Sequence, residues 1–345
     1  MSRWAVVLAG GVGSRFWPLS TPERPKQLLP LVADKPLLVE QLERLRPIAT
    51  PERTLVLTNA SLVDAIARLV PDLPRANIIA EPKPAGTAAA LTWAARVIEQ
   101  RDSKDATMIS VHADWAIGDA DGFRAALTTA ATAAEQHHAL VTVGIVPTRP
   151  DPGFGYIEPG ASVSKGVRAA KRFVEKPTRK RAATFVDKGF LWNSGIFVWR
   201  VGDYLDEVRT HASEIAPALA KHGDNLTAFF AAIPKPIPVD TAVLERSKRV
   251  LVVAGKFGWD DVGTWGSLRR VRRRDKQGNA ASGRVHTLDS KNNVVHADGN
   301  QQVVLFGVND LVVIARDGMT VVTTIDGSAD LKKLVESLPK EPGRS

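Results

Sequence analysis

The chain has 345 residues, no cysteine, and 46 Lys and Arg residues against 37 Asp and Glu residues, which leaves a net charge of +9. A chain of this length can bury a substantial core without covalent staples, and the absence of cysteine excludes disulfides and cysteine-based zinc sites. The positive charge favours anionic partners. Because no zinc-finger or RNP string occurs, we expect phosphorylated small molecules as ligands and no nucleic acid.

The sequence carries no pattern typical of membrane insertion or export. Its longest apolar runs stay below about 18 residues, the length that would span a bilayer. The first residues lack a basic flank followed by a long apolar segment. We therefore expect a cytoplasmic protein that does not act with a membrane.

Short apolar runs alternate with helical patterns from the start of the chain. The predicted strands are residues 4–8, 54–58, 77–80, 107–111 and 139–146. The predicted helices are residues 37–46, 61–70, 86–100 and 122–137. This alternation indicates an α/β fold in which a Rossmann-like, mostly parallel mixed sheet has helices on both faces. In such sheets ligands bind at the carboxyl ends of the strands, so residues that follow strands are candidates for a site.

A glycine-rich loop follows the first predicted strand and contains Gly10, Gly11 and Gly13. Glycine permits positive φ angles and lets a ligand approach backbone N–H groups, and such turns cradle phosphates. Arg15 and Lys26 follow, so the loop adds a guanidinium fork and a point charge that suit a triphosphate. Neither the Walker pattern nor the dinucleotide glycine pattern is present. On the glycines alone, a plain turn after a strand remains the alternative.

Two further strands are followed by candidate residues. Glu81 and Pro82 precede Gly86 and Thr87, which open an alanine-rich helix, and an ordinary helix start is the alternative explanation for the threonine. Asp114 follows the fourth predicted strand. A carboxylate beside a triphosphate most naturally holds Mg²⁺, which proteins bind through one or two carboxylates plus phosphates. The alternative is a turn aspartate, because aspartate is common in turns.

Beyond residue 150 the pattern changes to glycine-rich turns and apolar strands. A turn with Gly155 and Tyr156 enters one strand, a second strand ends beside Glu175 and Lys176, and Asn193 interrupts a long apolar strand. A polar residue inside a buried strand needs a partner, which a ligand hydroxyl could supply. The alternatives are a satisfied core amide for Asn193 and a solvated side chain for Lys176.

A predicted strand at residues 250–254 leads to Asp260 and Asp261, and a helix is predicted to begin near Thr264. The two aspartates could bind a metal or cap that helix, and the residues alone do not tell them apart. The basic run 269–276 is predicted to be a solvated helix face, and it marks a boundary.

Short β-rich runs recur beyond residue 277 and are separated by turn dipeptides such as Asp-Gly and Asn-Asn. The predicted strands are residues 284–288, 294–297, 303–306, 311–315 and 320–324. The pattern indicates a small all-β domain, a short β-helix, closed by a helix at residues 329–338. We therefore predict an α/β domain at residues 1–272 and a small β-rich domain at residues 277–338.

The glycine loop and the motifs after it resemble the sugar nucleotidyltransferases. The string Leu8-Ala-Gly-Gly-Val-Gly-Ser-Arg-Phe-Trp-Pro18, followed by Pro25-Lys26-Gln27, carries the resemblance, and its Phe-Trp-Pro-Leu-Ser variant is most similar to the mannose-1-phosphate guanylyltransferases. The resemblance covers residues 1–272 and extends more loosely over the tail, for which it implies a left-handed β-helix. The chain departs from the family pattern in Gly86, where the family has Asn, and in Asp260, where it has Ser.

The resemblance implies a role for each candidate residue. It makes Arg15 and Lys26 catalytic, and it makes Asp114 and Asp261 the carboxylates that bind Mg²⁺. The implied nucleotide-binding residues are Leu8, Ala9, Gly10, Gly11, Gly13, Ser14, Arg15, Lys26, Glu81, Pro82, Gly86, Thr87 and Asp114. The implied sugar-phosphate-binding residues are Gly155, Tyr156, Glu175, Lys176 and Asn193.

The implied activity is the formation of GDP-mannose and pyrophosphate from GTP and mannose 1-phosphate by in-line attack of the sugar phosphate. Another sugar-1-phosphate nucleotidyltransferase, such as a heptose guanylyltransferase or a hexose uridylyl- or thymidylyltransferase, is an alternative. A non-catalytic regulatory subunit is a second alternative, and the retained Arg15, Lys26, Asp114 and Asp261 argue against it. The sequence leaves the oligomeric state open, a homodimer included, as well as feedback regulators and the strictness of base and sugar choice.

Overall fold

The computed structural model describes residues 1–11 and 14–338 of the chain. Among the described residues, the strands are β1 Arg3–Leu8, β2 Thr54–Asn59, β3 Ile78–Glu81, β4 Thr107–His112, β5 Ala116–Ile117, β6 Leu140–Ile145, β7 Tyr156–Ser164, β8 Val167–Val174, β9 Leu191–Arg200, β10 Val250–Gly255, β11 Trp259–Asp260, β12 Ala280–Ser282, β13 Arg284–Leu288, β14 Val294–Ala297, β15 Gln302–Phe306, β16 Leu311–Arg316 and β17 Met319–Thr324. The α-helices are α1 Leu37–Leu45, α2 Val63–Leu69, α3 Gly86–Arg101, α4 Ala120–His137, α5 Arg179–Asp187, α6 Val201–His211, α7 Ala216–His222, α8 Leu226–Ala232, α9 Leu268–Val271 and α10 Leu331–Ser337. None of the helices in the described part of the chain has the length and apolar character that crossing a bilayer requires.

The chain forms two compact units, each built from several segments. The first unit comprises Met1–Gly10, Leu42–Ala113 and Asp119–Trp259. The second unit comprises Gly11–Gln41, Asp114–Gly118 and the chain from Asp260 onward. The domain boundary between residues 272 and 277 stays a prediction.

A nine-stranded sheet organises the first unit. Its strand order is β3-β2-β1-β4-β9-β6-β10-β8-β7. β8 and β9 run against the other seven strands, which all point in one direction. The predicted α/β class with a mostly parallel mixed sheet is therefore confirmed.

The pattern of apolar residues explains how this sheet is buried. Side chains alternate across a strand, so Trp4, Val6 and Leu8 lie on one face of β1 and share a core cluster with helix α3. Ala88 to Ala90 pack there as small side chains, which lets the helix lie close to the sheet. Because parallel strands are covered on both faces, β1 is apolar at almost every position.

The second unit has its own apolar core, which joins the start of the chain to its tail. Phe16, Leu29, Val262 and Trp265 are buried in one cluster. The same cluster contains the tail residues Val294, Val312, Ile314, Val321 and Leu331. The Phe16 and Trp265 rings lie 5.4 Å apart, and the Trp265 indole donates to the Trp17 carbonyl at 3.2 Å. The segment that carries Asp261 is thus anchored by residues from the β-rich tail.

The tail is a stack of short parallel strands. β12, β14 and β16 pair in parallel, β13 pairs in parallel with β15, and β17 runs antiparallel to β16. Two buried asparagines link successive coils, because Asn279 Oδ1 accepts from the Asn293 N–H and Asn293 Oδ1 accepts from the Leu311 N–H, both at 2.9 Å. The predicted small β-rich C-terminal part is confirmed.

The basic run after Leu268 differs from the prediction of a solvated helix face. The helix α9 ends at Val271, and Arg272 is buried with its Nε donating to the Leu31 carbonyl at 2.6 Å. Burial lowers the pKa of Arg272 to about 10. Arg270 forms an ion pair with Asp260. The solvated-face prediction is therefore wrong for Arg272, whereas Arg270 is exposed on the helix and also pairs with Asp260.

Candidate functional site

In the second unit, three of the predicted site residues lie together: Lys26, Asp114 and Asp261. We call them the phosphate-side cluster. The Lys26 ammonium lies 2.9 Å from Asp114 Oδ2 and donates to the carbonyl oxygens of Asp261 at 3.0 Å and Val262 at 3.2 Å. A 3₁₀ turn at Lys26–Leu28 carries the lysine. Three acceptors therefore fix one point charge beside two carboxylates.

The turn that carries Asp261 has an unusual backbone. Val262 has φ +47°, in the left-handed region, although it is β-branched and fully buried. Such a conformation is a genuine outlier for a β-branched residue, and it persists only where the surroundings enforce it. Gly263 follows, where a Cβ would lie 2.9 Å from Asp261 Oδ2. The missing side chain at Gly263 leaves room for the Asp261 carboxylate.

The electrostatic surroundings of Asp261 suit a carboxylate that binds a cation. Burial, helped by the neighbouring charges of Asp260 and Asp114, raises the pKa of Asp261 to about 6, and Lys26 and Arg270 lower it. No described residue donates a hydrogen bond to its carboxylate, and Asp114 Oδ1 likewise has no donor among them. A bound cation would stabilise the ionised form of a carboxylate in these surroundings. A pair of carboxylates also matches what Mg²⁺ takes from a protein when phosphates complete its coordination.

The alternative role of the aspartates as helix caps is wrong. Thr264 caps the following turn itself, because its side chain accepts from the Ser267 N–H while Ser267 Oγ accepts from the Thr264 N–H. Asp260 and Asp261 also separate into two roles. Asp260 accepts from the Val262 N–H at 3.0 Å and pairs with Arg270, whereas the backbone carbonyl of Asp261 accepts from Lys26.

The described residues offer no large group of potential metal ligands. Within residues 1–11 and 14–338, no cluster of three or more His, Cys, Asp or Glu side chains could hold a metal ion. The predicted pair of Asp114 and Asp261 needs phosphate oxygens to complete a magnesium site.

The glycine loop is tied down along its first half within the first unit. β1 ends at Leu8, and the next N–H, of Ala9, donates to Leu57 O at 2.8 Å. Thr58 Oγ1 donates to Ala9 O at 3.1 Å, and Asn59 Nδ2 donates to Gly10 O at 3.2 Å. The Ala9 N–H and the Ala9 and Gly10 carbonyls are therefore satisfied within the protein.

In the second unit, the loop continues with Gly11, whose carbonyl accepts from Nε2 of the buried Gln27 at 2.9 Å. Gln27 belongs to the Pro-Lys-Gln motif, but no local pattern predicts this structural role. Gly13 lies outside the described residues, as does the Ser14 side chain. Arg15 is exposed and contacts no other predicted residue within the described chain.

Glu81 ends β3 and lies beside the loop in the first unit. A Cβ on Gly10 would be 3.6 Å from Glu81 Oε1. Burial raises the pKa of Glu81 to about 7. Pro82, which follows, is exposed. A carboxylate that is desolvated, close to bare backbone and short of a cationic partner is suited to accept hydrogen bonds from a ligand.

The start of helix α3 explains the glycine that departs from the family pattern. Gly86 has φ +83°, and a Cβ there would lie 2.4 Å from Ile237 O. Thr87 Oγ1 accepts from the Val239 N–H at 2.9 Å, so its hydroxyl links the 237–239 segment to the helix. An asparagine at position 86 would collide with that backbone. The role of Thr87 at the nucleotide base stays a prediction.

A second group, which we call the sugar-side cluster, lies in the first unit: Gly155, Glu175, Lys176, Asn193 and Asp240. The Asn193 N–H donates to Gly155 O at 2.8 Å, and a Cβ on Gly155 would lie 2.8 Å from Glu175 Oε2. Lys176 Nζ lies 3.1 Å from Glu175 Oε1, and both side chains are mostly exposed. Four of the predicted sugar-phosphate residues are thus neighbours.

The backbone beside Pro177 behaves as the sequence predicted. Strand β8 ends at Val174, and Lys176 has φ +38°, so pairing stops before the proline and the two side chains that would diverge along a strand converge. Tyr156, the fifth predicted residue, is fully buried, and its hydroxyl donates to Asp151 O at 3.0 Å. Its side chain therefore supports the turn, and its backbone borders the cluster.

Asp240 also belongs to this cluster, although residues 240–245, which resemble a family helix near the site, were predicted to serve mainly as scaffold. Asn193 Nδ2 donates to Asp240 Oδ1 at 2.6 Å. Burial raises the pKa of Asp240, and the nearby Glu175 raises it further. Asp240 opens a π-helical segment, Asp240–Leu244, and such segments are frequent at functional sites. An acidic residue opening the apolar stretch Thr-Ala-Val-Leu was the available signal.

These observations define a class: an α/β protein with a glycine loop after its first strand, a lysine held by an aspartate and two backbone carbonyls, and a separate cluster of carboxylate and amide side chains. The profile of the nucleotidyl transferase family matches residues 4–278. The chain belongs to this family, and the predicted membership is confirmed.

Two curated relatives and one solved structure are similar to nearly the whole chain. The xanthan biosynthesis protein XanB of Xanthomonas campestris is 37% identical over 99% of this chain and 74% of its own length. A mannose-1-phosphate guanylyltransferase of Escherichia coli is 36% identical over 99% of this chain and 74% of its own length. A crystal structure of mannose-1-phosphate geranyltransferase from Thermus thermophilus has a TM-score of 0.89 and 35% identity, covering 97% of this chain and 99% of that one.

Proposed function

We propose that the chain transfers a guanylyl group from GTP to α-D-mannose 1-phosphate and releases GDP-mannose and pyrophosphate. The observation that carries the proposal is the phosphate-side cluster, in which one lysine is held by a strained turn beside two carboxylates. The names of the relatives that span nearly the whole chain support mannose 1-phosphate as the acceptor.

The reaction is a single displacement. An oxygen of the sugar phosphate forms a bond to the α-phosphorus, the bond from that phosphorus to the bridging oxygen breaks, and pyrophosphate leaves with the electron pair. No covalent enzyme intermediate is required, so positioning and charge neutralisation carry the catalysis. We assign Lys26 to the α-phosphate and the exposed Arg15 to the departing β- and γ-phosphates, where a planar fork suits paired oxygens.

Mg²⁺ is the proposed cofactor. Asp114 and Asp261 would hold it, because both carboxylates have oxygens without a donor among the described residues and burial raises the pKa of Asp261. Bound there, the ion would act as a Lewis acid that offsets phosphate charge.

We assign to Glu81 the selection of the nucleotide base. Guanine presents two neighbouring donors, its ring N1–H and its exocyclic amino group, and a single carboxylate accepts both. Uracil and thymine present one N–H between two carbonyls, which a carboxylate would repel. The partly buried position of Glu81 strengthens this discrimination, because charge interactions weaken less where water is excluded.

Sugar choice is assigned to the sugar-side cluster. Glu175 and Asn193 are assigned to sugar hydroxyls, and Lys176 to the sugar phosphate. Sites built to bond a particular hydroxyl reject analogues that lack it, since their polar groups are then left unpaired. Because both substrates are phosphorylated metabolites, we place the reaction in the cytoplasm.

The test is a substrate panel with the purified chain. GTP, ATP, UTP and dTTP are each combined with mannose 1-phosphate, glucose 1-phosphate and a heptose 1-phosphate, and pyrophosphate release is measured. We expect GTP with mannose 1-phosphate to give the highest kcat/KM, and the Asp114→Asn variant to exclude a contaminant. A higher kcat/KM for another pair would assign the chain to that transferase, and no release with any pair would favour a regulatory subunit.

A further inference from the structure

Arg270 and Asp260 form an ion pair that the catalytic assignments leave unexplained. Arg270 Nε lies 2.7 Å from Asp260 Oδ2, and its Nη2 donates to Asp260 Oδ1 at 3.1 Å. This is the two-bond fork that a guanidinium makes with a carboxylate. The Asp260 side chain is 5% exposed and that of Arg270 is 41% exposed. The arginine therefore neutralises a buried charge from the surface side.

The same carboxylate reaches the strained turn. Asp260 Oδ1 also accepts from the Val262 N–H at 3.0 Å. Val262 holds φ +47°, and its carbonyl and that of Asp261 accept from the Lys26 ammonium. A chain of contacts thus runs from Arg270 through Asp260 and the Val262 peptide to Lys26, all within the second unit.

We propose that Arg270 is a positioning residue that acts through Asp260 to hold the Asp261–Val262 turn, and with it the Lys26 ammonium, in the geometry needed at the α-phosphate. The inference deepens the proposed function and rests on it for the role of Lys26. A left-handed valine is not self-supporting, so its N–H must be fixed by something outside the turn. The buried carboxylate fixes it, and the two-bond fork of Arg270 holds that carboxylate in place.

The pair also determines what a neutral side chain should do at this position. A serine at position 260 would be neutral and could accept from the same N–H without a cationic partner. Asp260 in this chain is a carboxylate, and Arg270 from the basic run forms an ion pair with it. Removing Arg270 alone would remove the two bonds that hold this buried carboxylate, and we expect its Oδ1 to move away from the Val262 N–H. Removing both groups should restore the neutral arrangement.

The experiment compares four variants: Arg270→Gln, Arg270→Lys, Asp260→Ser and the double variant Asp260→Ser with Arg270→Gln. We expect Arg270→Gln to lower kcat about 10- to 100-fold, the scale of an ångström of misplacement at a reacting centre, with KM for GTP changed less than about threefold. Arg270→Lys should fall between it and the native chain, because an ammonium keeps the charge but loses the fork. The double variant should recover to within about threefold of Asp260→Ser, as expected for a coupled pair.

Two controls separate positioning from simpler effects. Arg273→Gln removes an exposed arginine that makes no ion pair or hydrogen bond within the described residues, and it should leave kcat unchanged. Rates are normalised to the folded fraction from circular dichroism, so a loss of melting temperature without a loss of normalised kcat would overturn the proposal. A double variant as slow as Arg270→Gln would also overturn it, because Arg270 would then act directly on substrate.

A second measurement does not depend on turnover. Lys26 is labelled with acetic anhydride in the apo protein and quantified by peptide mapping, with the exposed Lys188 as the internal reference. We expect Arg270→Gln to raise Lys26 labelling several-fold and the double variant to restore protection. Unchanged Lys26 labelling in Arg270→Gln would overturn the inference. A native chain that forms no pyrophosphate while Lys26 labelling responds as expected would instead overturn the proposed function alone.

Discussion

The phosphate-side and sugar-side clusters differ in which charged groups they contain and in how firmly those groups are held. In the phosphate-side cluster, the Lys26 ammonium is tied by three oxygen acceptors and the strain is stored in the backbone at Val262. In the sugar-side cluster, acidic groups gather with a single, mostly exposed lysine, and burial raises the pKa of Asp240. One cluster fixes a cation rigidly, and the other collects acceptors.

The difference follows from what each cluster would meet. Phosphates carry concentrated charge, so a rigid cation beside carboxylates that can share a metal is effective there. Sugar hydroxyls are neutral donors that must be told apart by direction, so carboxylate and amide acceptors are effective there. The two clusters should therefore fail in different ways when they are changed, the first in turnover and the second in selectivity.

The largest effect is expected from removing the tail. Residues from 277 onward supply Val294, Val312 and Ile314 to the core that buries Val262 and Trp265. Deleting them would expose that core and release the turn that carries Asp261. We expect a poorly folded or aggregated protein with no pyrophosphate formation, checked by circular dichroism, gel filtration and activity. A soluble truncation with native activity and native assembly would contradict this.

A matched pair of point variants tests the same idea without deletion. Val294→Ala should lower the free energy of unfolding by about 2 kcal/mol, because it removes two buried methyl groups' worth of contact and leaves a cavity. Val304→Ala is the control, since Val304 is 62% exposed in the neighbouring strand β15. Denaturant titration should separate the two. Equal losses would mean that this core does not support the second unit.

The next largest effect is expected at the carboxylates. Asp261→Asn and Asp114→Asn keep the side-chain shape but remove the charge, so kcat should fall at least about 100-fold at fixed Mg²⁺ while the fold is kept. Raising the Mg²⁺ concentration should recover part of the rate. Asp187→Asn is the control, because Asp187 is exposed at the end of α5 without a partner among the described residues. An unchanged rate and Mg²⁺ dependence in either variant would remove that residue from the ligand set.

A smaller loss of turnover is expected from Arg15→Lys. The change keeps the positive charge but loses the fork, and charge grows on pyrophosphate only as the bond breaks. We expect kcat to fall about 10- to 30-fold and KM for GTP to rise less than about threefold, measured by steady-state kinetics. An effect on KM alone would mean that Arg15 binds GTP in the ground state and does not favour the transition state.

The sequence predicted the sheet and the tail because periodicity and turn residues are local signals. β13 and β14 were predicted with the bounds that the structure has, 284–288 and 294–297. The structure brings Lys26, Asp114 and Asp261 together, while the roles predicted for them stay predictions. The sequence could not predict that Arg272 is buried against Leu31 O, or that Asp260 and Asp261 take different roles. Those outcomes depend on contacts between segments far apart in the chain, which no local pattern encodes.

The sugar-side cluster should respond mainly in selectivity. Glu175→Gln should weaken use of mannose 1-phosphate about tenfold and narrow its margin over glucose 1-phosphate, because the amide loses one acceptor. Lys176→Ala should raise KM for every sugar phosphate by a similar factor, because it removes a contact common to all of them. KM for GTP serves as the internal control in both variants and should stay nearly constant. If Lys176→Ala raised KM for GTP instead, the assignment of this cluster to the sugar would be wrong.

The smallest effect is expected from the protonation of Glu81, whose pKa burial raises from 4.5 to about 7. The folded chain therefore keeps this proton between those values while the unfolded chain loses it. The resulting contribution to stability is complete below pH 4.5 and is lost as the pH rises through 7. Glu81→Gln removes that dependence, so the variant should gain in melting temperature relative to the native chain as the pH is raised from 5 to 8.

Binding of GTP should depend on the same proton in the opposite sense, because only the ionised carboxylate accepts both guanine donors. With a pKa near 7, roughly a tenth of Glu81 is ionised at pH 6, so KM for GTP should rise about three- to tenfold between pH 8 and pH 6. Phosphate groups of the substrates also titrate near pH 6, and Glu81→Gln corrects for them because it meets the same substrates. The ratio of native to variant kcat/KM for GTP should therefore grow with pH, while the same ratio for ATP should stay flat. A ratio for GTP that does not change with pH would mean that Glu81 does not read the base.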